Sequence, residues 1–316
     1  MFKRNLVPIL ILLIIFTFIL QPGIVYDGAF KGLNIWIQNI VPFLFPMSVL
    51  SNILLQYNFI YSLLERFSFI STCIFKNKFA VIPYFISFIA GYPSGAIVAN
   101  IMVNQKKTTQ NEANYILYFT NNCSFQFIAG AVAFSMLGDF NFYKYIAVPH
   151  FLGAIILSFL FKNNENPLLS NVRMRTKPSP FNEVFSSSIS KSISSMLSVG
   201  AVIVIFSIFA QFLTNIINSS KIAALLNPDY LHIIKSILIG ILEMTNGCSI
   251  ISASLLAPEI KLIIINFLLS FSGMSVIFQT LAVTSEINLN IGKYLISRLL
   301  FGIISSFICV LMLILL

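Results

Sequence analysis

Four stretches constrain this chain more than anything else in it. Residues 5–20, 145–161, 192–213 and 294–316 are apolar runs nearly free of charge. Each is close to the roughly 20 residues that carry an α-helix across the hydrocarbon of a bilayer. A water-soluble fold would leave these runs with nothing to cover them. Composition agrees: of 316 residues, 58% are hydrophobic and only 9% charged, against about 25% charged in a soluble domain. The expected fold class is an all-α, polytopic membrane bundle whose first partner is the lipid bilayer.

The formal charge of +9 does not point to nucleic acid, because the basic residues are scattered among short loops. Loops that hold helix ends in the cytoplasm account for the same excess. Cys73, Cys123, Cys248 and Cys309 form no CxxC pair and no cluster with histidine, so neither metal nor other cofactor is expected. The opening MFKR before an apolar run resembles the start of a signal peptide. It lacks a small-residue cleavage site and is taken as a retained first helix.

Full spans are expected at 5–20, 34–56, 113–138, 143–161, 192–218, 261–287 and 294–316, with an interfacial helix at 57–75. The stretch 162–190, rich in Asn, Ser and Pro, divides the chain as a cytoplasmic linker. The expected organisation is N-terminal spans at 1–78, a first repeat at 79–161, the linker at 162–190 and a second repeat at 191–316.

Two apolar stretches are interrupted halfway. One reads FAVIPYFISFIA-GYPSG-AIVANIMVN over 79–104, the other HIIKSILIGIL-EMTNGCS-IISASLLA over 232–257. Each arm is too short to span but long enough to reach mid-bilayer and return, the pattern of a re-entrant hairpin. An interrupted span follows each: NYILYFT-NNCSFQ-FIAGAVAF at 114–134 and INFLL-SFSGMS-VIFQTLAV at 265–283. A hairpin and a broken span, twice, in corresponding halves, point to an internally duplicated transporter. With the N-terminus inside, 14 of the 19 Lys and Arg fall inside; Lys31, Lys144, Lys221, Lys235 and Lys261 fall outside. On that threading the two repeats are inverted.

Irregular backbone persists at membrane depth only against protein, water or ligand, so the four breaks are expected to meet. They offer Tyr92, Ser94, Gly95, Thr120, Asn121, Asn122, Ser124, Gln126, Thr245, Asn246, Gly247, Ser249, Ser272 and Ser275, a hydrogen-bonding set without a fixed cation. Half-helices beginning near Ala96, Phe127, Ile250 and Val276 would aim free N–H groups at the same place, which suits a small carboxylate. The plainer alternative is that these groups only satisfy one another. Glu243 stands apart as the acidic residue set deepest in an apolar stretch. Ionisable groups there commonly serve as proton or cation relays, so it is the expected coupling or binding carboxyl; a helix-end cap is the alternative. An enzyme is not expected. His150 and His232 lie near span boundaries, outside any HExxH pattern, and Ser94 has no histidine expected beside it.

GYPSGA at 91–96, FTNNCSFQFIAGAVA at 119–133 and LEMTNGCSIIS at 242–252 resemble the YlbJ/SpoVV family of sporulation integral membrane proteins. That family belongs to the nucleoside-recognition Gate group and is similar to concentrative nucleoside transporters. The resemblance runs from about residue 30 to the end. Gly91, Tyr92, Pro93 and Gly95 match its first hairpin tip, Thr120, Asn121 and Gly130 its first broken span, and Glu243, Thr245 and Gly247 its second tip. The chain departs from the family at Cys123 and Phe125, where serine and proline are common, and at Ile97, where a basic residue is. The resemblance implies a forespore membrane and transport of dipicolinic acid, or a similar carboxylate, into the developing spore. The alternatives are a nucleoside as substrate, or a non-transporting scaffold of the sporulation envelope; a homo-oligomer is compatible with each.

Overall fold

A computed structural model describes residues 2–57, 59, 62–63, 66–104, 106–161, 180–220 and 227–315. Most of the expected linker (162–179) and Glu65 in the expected interfacial helix lie outside the described residues. Among the described residues every regular element is helical, and five helical stretches are long and apolar enough to cross a membrane. The chain is therefore an all-α, multi-pass integral membrane protein, as its apolar runs require. Its large outward-facing side chains are those of a surface meeting lipid: Ile19 is 67% exposed and Leu315 79%.

Helix α1 (Phe2–Leu20) is separated only by Gln21 from α2 (Pro22–Asn34). A π-helical segment, Ile35–Ile40, joins α2 to α3 (Val41–Leu55) without a break. The expected span at 34–56 thus begins twelve residues early, and its sequence explains how. Pro42 and Pro46 lack the N–H groups that an α-ladder would use, and a local π adjustment absorbs the loss within a membrane helix.

The π-linked helix runs antiparallel to the 39-residue α9 (Phe181–Ser219). Small residues set their separation. A Cβ on Gly28 would come within 2.7 Å of Ile208 Cα, and one on Gly200 within 2.6 Å of the Trp36 ring. Further along, Asn52 Nδ2 donates to Ser192 Oγ at 2.8 Å, and Gln56 Nε2 to Ser188 Oγ at 2.7 Å.

The first interrupted stretch is a helix pair, α5 (Val81–Ala90) and α6 (Ser94–Asn104), with short helix α4 (Ser68–Phe75) ahead of it. Then come α7 (Gln110–Thr120), the π-helical segment Phe127–Met136 and α8 (Tyr143–Leu160). Thr109 and Glu112 begin α7 with a reciprocal capping box, the T-x-x-E pattern in which each side chain satisfies the other's orphan N–H. Packed aromatics hold this half together: Phe75 on Phe119 at 5.0 Å, and Phe88 on Phe125 at 4.9 Å, between ring centroids.

The second interrupted stretch pairs α10 (Pro228–Leu242) with α11 (Met244–Ser252). The following span is α12 (Pro258–Phe271) and α13 (Gly273–Val283), broken at Ser272, and α14 (Ile291–Leu315) closes the chain. Helix α14 lies against both α12 and α8, so it joins the two halves.

Candidate functional site: the cavity at the helix breaks

Each break has its own local cause. At the first tip, Gly91 takes φ +75°, open to glycine without cost, and its carbonyl accepts from Ser94 N at 2.9 Å. After α7, the uncoiled Asn121–Ser124 is held by two side chains that sequence reasoning had placed elsewhere. Arg298 Nη1 donates to Asn121 O at 2.8 Å, and Nη2 donates to Tyr118 O. Cys123 N donates to His150 Nε2 at 3.1 Å. At the second tip Glu243 leaves helical geometry (φ −144°, ψ 111°) and caps α11. At the last break Ser272 stands at φ +71°, a left-handed conformation that few non-glycine residues adopt. Three of the four half-helices start somewhat before their expected points, at Ser94 rather than Ala96, Met244 rather than Ile250 and Gly273 rather than Val276, while the π-helical segment begins at Phe127 as expected.

All four breaks border one cavity of about 60 Å³, room for a few water molecules. The first tip contributes Gly91 and Tyr92, the second break Cys123 and Ser124, the second tip Glu243 and Thr245, and the first turn after the last break Ser275, with Gln279 one turn further along α13. The α3–α9 pair supplies the remaining wall, with Leu44, Ser48, Ser195 and Val199 among its residues.

Within it, Glu243 is 1% exposed. Its Oε1 accepts from Thr245 Oγ1 at 2.9 Å; Oε2 accepts from Asn246 N at 2.7 Å and Asn246 Nδ2 at 3.0 Å. The carboxylate therefore already satisfies the N-terminus of α11. Ser124 Oγ does the same for the π-helical segment, accepting from Phe127 N at 3.1 Å. The N-terminus of α13 differs: it has no side-chain cap, and the buried Ser275 hydroxyl on its first turn has no partner. That turn therefore presents the cavity with a hydroxyl and helix N-terminal N–H groups that no side chain caps.

Of the expected site residues, then, Tyr92, Ser124, Glu243, Thr245 and Ser275 line the cavity. The others do different work. Ser94 Oγ donates to Gly91 O at 2.5 Å and faces a second cavity beside the first tip. Asn246 and Ser249 face a third, beyond the second tip. Thr120 Oγ1 donates into its own helix, to Ile116 O at 2.8 Å. Asn121 Nδ2 donates to Thr280 Oγ1 at 2.7 Å, and Asn122 Nδ2 to Phe119 O at 2.9 Å, both fully buried away from the cavity. Ser272 Oγ donates to its neighbour's carbonyl, Phe271 O. Gly95 and Gly247 lie inside helices, where they permit close approach to Thr120–Asn121 and to Gly240. Gln126 is half-buried beside the π-helical segment.

Two expectations are corrected outright. His150 is not interfacial: it is completely buried, stacks on Phe301 at 4.8 Å, and its Nδ1 lies 2.7 Å from Ser270 Oγ. Arg298, expected near the inner end of its span, is also completely buried, against the rings of Tyr294 and Phe301 at 5.2 Å each. A fixed cation thus stands one layer behind the cavity. The signal for it was available: positions 294, 298 and 301 share one helix face, and a lone arginine between two aromatics on an apolar helix has its charge to satisfy inside the protein.

The fold and this cavity define a class, the multi-pass membrane proteins that keep irregular backbone around a buried polar site. No family model matches the chain, and no solved structure does. The chain is 24% identical to the sporulation integral membrane protein YlbJ of Bacillus subtilis (strain 168), over 92% of its own length and 78% of that protein's. This relative supports the YlbJ family for the chain, in line with its three motifs.

Proposed function

We propose that the protein is a membrane transporter of a small polar or anionic solute, working by alternating access, and not an enzyme. One observation carries the reading: four separate helix breaks border a single cavity. Interrupting a membrane helix exposes backbone groups whose desolvation is costly. A scaffold has no need of four such interruptions, whereas a solute site uses them as donors and acceptors. Glu243, the carboxylate on that cavity, is the group placed to bind solute or to couple its movement to a proton or cation.

The relative's name supports a role in sporulation, and with the family resemblance it suggests dipicolinic acid as solute and a forespore membrane as location. The test is uptake of labelled dipicolinate, nucleosides and other small carboxylates by proteoliposomes holding the purified chain. Saturable uptake of one class that competes with its own unlabelled form supports the reading. Uptake of none of them, from correctly folded protein, favours the scaffold.

A further inference from the structure

Lys191, Ser195, Val199, Ile203, Ser207 and Gln211 recur at every fourth residue of α9, a row that winds slowly around the helix as it rises. They border three cavities in sequence. Lys191 and Ser195 line one of about 440 Å³, Ser195 to Ile203 the central one, and Ser207 and Gln211 one of about 470 Å³. The third cavity opens between α2, α9 and the α10–α11 tip. Lys31, His232 and Lys235 line it, and none of its lining residues is acidic.

The vestibule and the central cavity are lined by adjoining residues at the second tip. Asn246 faces the vestibule, while the adjoining Glu243, Met244 and Thr245 face the centre. The Asn246 amide is fixed from both sides, donating to Ser207 Oγ at 2.6 Å and to Glu243 Oε2 at 3.0 Å. This bridge ties the second tip to the long helix across the line of the cavities.

We infer that the Lys31–His232–Lys235 vestibule is a second solute site, in series with the central cavity, that takes small organic anions, and that Asn246 is the partition between them. The inference rests on the transporter reading for its purpose, though not for its test. A mouth lined by two lysines and no carboxylate raises the local concentration of anions. The partition is two hydrogen bonds from one amide, so a modest displacement of the second tip relative to α9 opens it.

Thiol labelling tests both parts without requiring transport. Sealed membrane vesicles of each orientation are treated with two impermeant methanethiosulfonates, one bearing a sulfonate and one a quaternary ammonium, and labelled peptides are identified by mass. Ser249→Cys, in the vestibule, should label from one face only, with the anionic reagent roughly ten-fold faster than the cationic one. Lys31→Gln with Lys235→Gln should remove that preference. From the same face, native Cys123 in the central cavity should be protected, and either Asn246→Ala or Ser207→Ala should expose it. Ser207→Ala removes one anchor of the bridge while leaving Glu243 its bonds, so it serves if the first variant misfolds. Equal labelling of Ser249→Cys by the two reagents overturns the anion site. Cys123 remaining protected in both partition variants overturns the role of Asn246. Labelling as expected from a protein that takes up none of the labelled solutes would leave this pathway standing and remove the transporter reading instead.

Discussion

Arg298 Nη1 donates to the carbonyl of Asn121 at 2.8 Å, across a separation of 177 residues. The bond joins the last helix to the first broken span, and with the Tyr118 carbonyl it engages both arms of the guanidinium. The C-terminal end of α7, where unpaired carbonyls concentrate negative potential, thus meets a buried cation.

Replacing that fork should be costly even when charge is kept. Arg298→Lys offers a point charge on a flexible stem and cannot reach two carbonyls in fixed geometry. We expect a loss of about 1–3 kcal/mol as a buried carbonyl goes unpaired, read as a lower unfolding temperature in detergent. Unchanged stability would show that the clamp does not hold the break.

Glu243→Gln separates charge from capping. Glutamine keeps one oxygen for Asn246 N, and its amide can donate to Thr245 Oγ1, which is free to rotate and accept. Stability should therefore change by less than about 1 kcal/mol. If the carboxyl couples transport to an ion, accumulation against a gradient should fail while solute exchange persists. Loss of exchange and of binding would make Glu243 a direct contact. Wild-type behaviour in all three assays would leave it a helix cap.

Gly95→Ala and Gly247→Ala should each destabilise the bundle by about 1–3 kcal/mol through overpacking. The added Cβ would press on the Thr120 backbone in one case, and lie 2.5 Å from Gly240 Cα in the other. The cause is helix contact, not turn conformation, since neither glycine has a positive φ. Gly23→Ala is the control: nothing lies within 4 Å of the new carbon, and its unfolding temperature should not fall.

Topology follows from the antiparallel pair. At 1.5 Å per residue α9 is about 58 Å long, more than a bilayer with its headgroups, so its ends emerge on opposite faces. Asp27→Cys and Ser219→Cys should label with an impermeant thiol reagent from one face, and Tyr57→Cys and Asn182→Cys from the other. Labelling of Ser219→Cys and Asn182→Cys from the same face would refute the arrangement.

By itself the sequence determined that this chain lives in a membrane, because some 16–23 apolar residues in a row have no alternative solvent. It also marked where helix would stop: glycine at 91 and the paired asparagines at 121 and 122 favour a break through local backbone chemistry. Such effects act within a few residues and are legible along the chain. What faced the cavity was decided only by tertiary structure. Asn121 and Asn122 have the same chemistry as Asn246, yet packing turns the first two into the protein and the third toward a vestibule. His150 and Arg298 could not be assigned to the first broken span from their own neighbourhoods, 27 and 177 residues away. Their roles depend on which distant carbonyl or amide is left without a partner, and that is known only when all the helices have been packed.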